Sequence, residues 1–326
     1  MPWKNHFDSL KKEFNAVKGE LQSGINTLTS SLQQQPRPQQ QPHYYPPSQQ
    51  TPHHYPPPPP PQQPPAGAYA YWRPRFHQDT AVTAEWDAKM GNGPDGWGNQ
   101  ELQHYTALPQ NTFHTPNGEL ILRAIADSQA PNSEQKYTSA RLVGRQPLSR
   151  DRGSLTAVIR SPCAPGIWPA FWLLPQEPFS WPTDGEIDIA ETWNGDGENH
   201  SCLHWGHHHE GDKHRVLGTR IPGLGARPVR YDLVWWDQPG GGGRLVWYID
   251  GRPVMKAHIP PGTRPMREMT VLLNVAMGGN VCGGVRPQDG YYDMVVHALY
   301  ATEEPELGGW AGFEHAWRSA PEGHGY

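Results

Sequence analysis

From about residue 69 onward the sequence predicts an all-β chain folded as a β-sandwich, and three observations predict it. Short runs rich in Val, Ile, Leu, Tyr and Trp recur there, separated by Gly, Pro, Asn and Asp. Leu120-Ile121-Leu122-Arg123-Ala124-Ile125, Ser154-Leu155-Thr156-Ala157-Val158-Ile159, Tyr231-Asp232-Leu233-Val234-Trp235-Trp236 and Leu245-Val246-Trp247-Tyr248-Ile249 are examples. Asn117-Gly118 and Asp250-Gly251 stand beside such runs, and both dipeptides accept the positive φ that a tight hairpin turn requires. No long amphipathic helix is visible in this region, so the strands must bury their apolar faces on one another.

In chain order, residues 1–32 read as one amphipathic helix. Trp3, Phe7, Leu10, Phe14, Val17 and Leu21 recur at alternating steps of four and three, the seam of a coiled coil. Such a stripe predicts self-association or docking on a partner. Membrane contact is the weaker expectation, because four lysines against three acids give little net charge. Residues 33–68 are Pro/Gln-rich and of low complexity, with too little apolar surface to offset the entropy of ordering. A disordered linker with a polyproline II tract is expected there. Residues 69–326 form the remaining domain and hold thirteen of the fourteen tryptophans.

Composition excludes several classes. A net charge of −5 gives no support for nucleic-acid binding. Cys163, Cys202 and Cys282 are an odd number at wide spacing, neither a disulfide framework nor a zinc signature. The first residues lack the apolar core of a secretory signal, so a cytoplasmic or unconventionally exported protein is expected.

The chemistry concentrates in Gly185-Glu186-Ile187-Asp188-Ile189-Ala190-Glu191. Ile187 and Ile189 alternate with Glu186 and Asp188, the period of a strand, so the two acids share a face. Regular alternation would turn Glu191 to the isoleucine face; a β-bulge near Ala190 returns it to the acidic one. Glu186 and Glu191 then stand about 13 Å apart at Cα, and side chains leaning together leave about 5 Å between carboxyls, the separation of a retaining glycosidase pair. Alternating acids are often only a solvated face. Here Trp168, Trp172 and Trp193 flank them, and aromatic rings beside paired carboxylates suit a sugar-binding cleft.

Glu186-Ile187-Asp188-Ile189-Ala190-Glu191 resembles the E-x-D-x-x-E signature of glycoside hydrolase family sixteen, in the bulged form of its laminarinase-like branch. Gly96-Trp97-Gly98-Asn99-Gln100-Glu101-Leu102-Gln103-His104-Tyr105-Thr106, Tyr137-Thr138-Ser139-Ala140-Arg141-Leu142, Trp168-Pro169-Ala170-Phe171-Trp172 and Leu273-Asn274-Val275-Ala276-Met277-Gly278-Gly279 are similar to other blocks of that family, in family order.

The resemblance implies a jelly roll of two curved antiparallel sheets with a cleft on the concave side. It also implies an endo-β-1,3-glucanase, acting on β-1,3 or β-1,3-1,4 glucan without a cofactor. Alternatives within the fold are a β-galactan hydrolase, a transglycosylase, or a non-catalytic glucan-binding protein. Glu186 is expected as nucleophile, Glu191 as acid/base, and Asp188 between them. Asn99, Arg141, Trp168, Trp172 and His204 are expected to contact sugar. The other histidines of 204–214, including His207, His208, His209 and His214, are expected on a surface loop. Relatives carry an Asp on the last strand that helps hold a structural calcium. Here His297 or Val295 takes that place, so no metal is expected.

Overall fold

A computed structural model describes residues 69–207, 213–238 and 242–325. The helix expected over 1–32 and the linker over 33–68 lie outside the described residues. In chain order the strands are β1 (Ala70–Trp72), β2 (Trp86–Ala88), β3 (His104–Tyr105), β4 (Thr112–His114), β5 (Leu120–Ala126) and β6 (Tyr137–Ser139). Then come β7 (Arg141–Pro147), β8 (Arg152–Arg160), β9 (Ile167–Pro175), β10 (Glu186–Glu191), β11 (Glu198–Trp205) and β12 (Lys213–Arg220). They are followed by β13 (Val229–Trp236), β14 (Arg244–Ile249), β15 (Arg252–His258), β16 (Met269–Met277) and β17 (Gly290–Thr302). A helix, α1 (Gly309–Ser319), and β18 (His324–Gly325) come last.

These strands form the two sheets expected of the sandwich. One runs β15-β14-β13-β8-β17-β5-β6-β3, with β1 beside β17 and β4 beside β5; the other runs β18-β12-β11-β10-β9-β16-β7-β2. Among the described residues, all strand pairings are antiparallel except β3 with β6. Leu155, Ala157 and Ile159 of β8 and Leu233 and Trp235 of β13 share one buried core with Phe171 and Leu173 of β9, Ile187 and Ile189 of β10, and Leu273 and Val275 of β16. Each set keeps the period-2 spacing of a strand, so each sheet gives one face to the core and has one left over. On the second sheet, that left-over face carries the acids.

Both expected hairpin turns form. Gly118 has φ 77°, and Asp250 and Gly251 have φ 48° and 76°, the left-handed pair that suits a two-residue hairpin. The three cysteines are unbridged.

One element departs from the sequence reading. α1 is an amphipathic helix of eleven residues whose Phe313 and Ala316 are buried, with Trp310 and Trp317 packed beside them. They cover Val234, Val246 and Tyr248, the residues that β13 and β14 turn away from the main core. Arg244 clamps the helix through two bonds to the Glu314 carboxylate at 2.6 and 3.0 Å. Three turns opening on Gly308-Gly309 carry too few apolar repeats to stand out in the sequence.

Candidate active site

β10 carries the bulge. Asp188 pairs with Trp172 and Ala190 with Phe171, so β10 advances two residues while β9 advances one. Ile187 and Ile189 enter the core, and Glu186 and Glu191 both stay half-buried. The bulge interrupts the backbone ladder, and Asn199 of β11 fills the interruption. Its side-chain amide donates to the carbonyl of Ile189 at 3.3 Å, and its Oδ1 accepts from the N–H of Glu191 at 3.2 Å. From the core side, Nε1 of Trp247 donates to the carbonyl of Asp188 at 2.9 Å. The strand that holds the acids is thus pinned by side chains from both sheets.

Each glutamate has an indole donor. Nε1 of Trp168 donates to Oε1 of Glu191 at 2.6 Å, and Nε1 of Trp181 donates to Oε2 of Glu186 at 2.8 Å. Asp188 lies between them, almost fully buried, with Nε2 of His204 at 3.4 Å from its Oδ2. His204 is the cross-strand neighbour of Glu186, and its ring lies 6.0 Å from that of Trp181. Glu191 is pushed well above the ordinary carboxylate range. Burial is the first cause and the neighbouring Asp188 charge the next; the Trp168 bond works in the other direction. A carboxyl that keeps its proton at neutral pH can act as a general acid.

A second cluster adjoins the first across β9, β16 and β7. Nε1 of Trp172 donates to Oδ1 of Asn274 at 2.7 Å. The Arg141 guanidinium stacks between Trp97 and Trp172, 4.8 Å from each ring centre. Trp97 is held there by strained backbone: Asp95, Gly96, Trp97, Gly98 and Gln100 all have φ between 51° and 81°. A bulky residue in the left-handed region is rare, and such strain gathers at functional sites. Gly96 admits no side chain, because a Cβ there would stand 2.5 Å from the backbone nitrogen of Glu101. Glu101 is buried, bonded by the amides of Asn99 and Gln103, and raised by burial above its usual range, against the opposing pull of Arg141.

Comparisons with known proteins place the chain in a family. Residues 103–219 match the model of the "XgeA-like, catalytic GH16 domain". The beta-glucanase of Rhodothermus marinus is 31% identical over 225 residues, covering 63% of this chain and 74% of that protein. The chain belongs to glycoside hydrolase family sixteen. The glucan endo-1,3-beta-glucosidase A1 of Niallia circulans is 30% identical over 251 residues, 68% of this chain and 36% of that protein. The chain thus spans about a third of the length of the first relatives it matches (36% and 33%). The X-ray structure of the laminarinase from Rhodothermus marinus superposes with a TM-score of 0.61 at 28% identity, covering 72% of this chain and 97% of that one.

Within the family frame, the structure brings Glu186, Asp188, Glu191, Trp168 and His204 into one cluster. Arg141, Trp172 and Asn99 belong to the adjoining one. Reading the sequence alone missed Trp181, Asn199, Trp247 and Asn274 as partners of the site. Trp181 carried a signal, since it stands five residues before Glu186 in an aromatic, proline-rich turn.

His214 is not on a surface loop: it is buried on β12 opposite His204, their rings 5.4 Å apart. The β11–β12 pairing carries it into the sheet, which the run of histidines concealed. His207 is exposed, and His208 and His209 lie outside the described residues. On the last long strand, where His297 or Val295 is expected in place of a calcium-binding Asp, Nδ1 of His297 stands 2.9 Å from Oε1 of Glu119, and the other carboxylate oxygen accepts from the Thr115 hydroxyl at 3.0 Å. Burial lowers the His297 pKa against the opposing pull of Glu119, with Arg160 adding to the lowering. Calcium requires hard oxygen ligands, and these residues do not fit it.

Proposed function

We propose that this chain is a retaining endo-β-glucanase that hydrolyses β-1,3 linkages by double displacement, with β-1,3-1,4-glucan as its second candidate substrate. The observation that carries this reading is the bulge that turns Glu191, with its raised pKa, to the face occupied by Glu186. A Glu186 oxygen attacks the anomeric carbon while Glu191 gives its proton to the departing glycosidic oxygen. The glycosidic C–O bond breaks and a glycosyl-enzyme forms. Glu191, now a carboxylate, takes a proton from water. As that proton leaves, the water oxygen attacks the same carbon, releasing Glu186 and giving a product of unchanged β configuration. Asp188, held beside His204, keeps negative charge near Glu191 and so favours its protonated form. The indoles of Trp168 and Trp172 and the guanidinium of Arg141 offer stacking and hydrogen bonds to sugar rings. Asn99 and His204 flank them with polar groups.

The names of the relatives support glucan as the substrate: one is a glucan endo-1,3-beta-glucosidase, and the superposed structure is a laminarinase. A galactan hydrolase or a transglycosylase would use the same three acids, and product sizing on a panel of soluble polysaccharides separates them. A purely binding role does not require both glutamates, and both are present. Proton NMR of laminarin digestion is the test. β-Anomeric reducing ends should accumulate before mutarotation, and initial α products would overturn the reading.

The 1–32 stripe is proposed to serve self-association or partner docking. Static light scattering on the full chain and on a chain beginning at Ala66, with liposome flotation of both, tests it. Monomeric full-length protein that floats would overturn it.

A further inference from the structure

We propose that Asp188, Cys202 and His204 form a binding site for a thiophilic divalent cation of the zinc or cadmium class, and that its occupation arrests the enzyme. Cys202 has no part in the chemistry above. It is nevertheless the direct cross-strand partner of Asp188, and His204 lies two residues on, on the same face of β11. Nε2 of His204 stands 3.2 Å from Sγ of Cys202 and 3.4 Å from Oδ2 of Asp188. The three ligand atoms all lie within 4.8 Å of one another. Around a tetrahedral ion with bonds of about 2.0–2.3 Å, neighbouring ligand atoms are about 3.3–3.7 Å apart. An ion can therefore enter with small side-chain rotations and no change in the strands.

A second observation points to a ligand. Asp188 is 4% exposed, and its Oδ2 accepts no hydrogen bond. A buried carboxylate oxygen in that condition is costly unless something positive reaches it. The donor set selects the cation: one thiolate, one imidazole and one carboxylate suit a borderline-soft ion and not calcium or magnesium. Unbridged Cys202 carries its S–H 3.2 Å from Nε2 of His204. Binding breaks that S–H bond, forms the metal–sulfur bond and releases the proton to water. His204 offers Nε2, the ring nitrogen that faces both Cys202 and Asp188, and a water completes the coordination.

The consequence for catalysis rests on the reading of Glu186 and Glu191 given above. An ion on Asp188, which lies between Glu186 and Glu191 on β10, places positive charge between the two acids that this reaction uses. Cobalt(II) and zinc chloride are the probes, added to the full chain after dialysis against chelator. Cobalt should give a thiolate-to-metal charge-transfer band in the near ultraviolet. The band should survive Cys163→Ser and Cys282→Ser, vanish in Cys202→Ser, and be displaced by zinc. Zinc should inhibit laminarin hydrolysis, and at least tenfold more zinc should be needed in Cys202→Ser. Near-ultraviolet circular dichroism in chelator checks the fold, and Cys202→Ala replaces the serine variant if that one is altered. A charge-transfer band that survives loss of Cys202 overturns the proposal. So do visible cobalt bands with no thiolate band, which would put the ion on the histidine-rich segment near His207. A Cys202-dependent band in a chain that leaves laminarin intact would sink the glucanase reading and leave the metal site standing.

Discussion

Replacing Trp168 by Phe keeps a ring on β9 and removes one hydrogen, the one in the 2.6 Å bond to Oε1 of Glu191. A bond to a charged acceptor contributes about 1.5–3 kcal/mol, against about 0.5–1.5 kcal/mol for a neutral one. The bond therefore favours the Glu191 anion over the protonated acid by about 1–1.5 kcal/mol, which is about one pKa unit. Burial and Asp188 already raise this group, and loss of the indole donor raises it further. An acid catalyst must be protonated, so the alkaline limb of kcat/KM on laminarin should move up by about one pH unit. Trp181→Phe removes the 2.8 Å donor to Glu186, whose anion is the proposed nucleophile. There the acidic limb should move up instead. One variant broadens the bell and the other narrows it, a contrast that general loosening of the cleft would not produce. Melting temperatures near wild type confirm that each variant is folded. An alkaline limb that stays put or falls in Trp168→Phe, or two variants that move the same limb, would refute the role assignment.

Three further outcomes are expected. With an aryl β-glucoside bearing a good leaving group, azide should restore turnover to Glu191→Ala with a β-glycosyl azide, and Glu186→Ala should give the α-azide; the reverse pattern would swap the two roles. Glu191→Gln should melt higher than wild type at neutral pH, by several degrees if about 1–2 kcal/mol is recovered. The sign follows from a folded pKa above the unfolded one: Glu191's favourable contribution is complete only below the unfolded value, about 4.3, and is lost as pH rises toward the folded value, so the difference should vanish in acid and its persistence there would count against the cause given. Arg141→Lys loses stacking on both Trp97 and Trp172, at about 0.5–1 kcal/mol each, and should raise KM up to about thirtyfold with kcat little changed; a fall in kcat at constant KM would mean that the guanidinium acts in the transition state instead.

The acids were legible in the sequence because strand periodicity is local. Two acids in phase and one out of phase, all needed on one face, leave a bulge as the economical solution, and the pairing of β10 with β9 slips between Asp188 and Ala190. Trp168 and Trp172 share a face by the same arithmetic. Their partners were not legible, because register between strands decides them. Trp168 reaches Glu191 diagonally, since Ala170 is the residue opposite Glu191. His214 looked like part of a loop for a related reason: only the pairing of β12 with β11 carries it into the sheet. Asn199 shows most plainly what periodicity omits. A bulge leaves backbone N–H and C=O groups out of the ladder, and buried groups of that kind must find partners. The residues of β10 cannot supply them, because their side chains are committed to the core or to the cleft. The partner has to come from the next strand, at the height of the bulge, with a donor and an acceptor on one short side chain. An asparagine meets that requirement, and Asn199 is 1% exposed with both ends of its amide on the bulged backbone. The orientation of Glu191 thus rests on an uncharged residue eight positions away, which is why the acid motif alone could not reveal it.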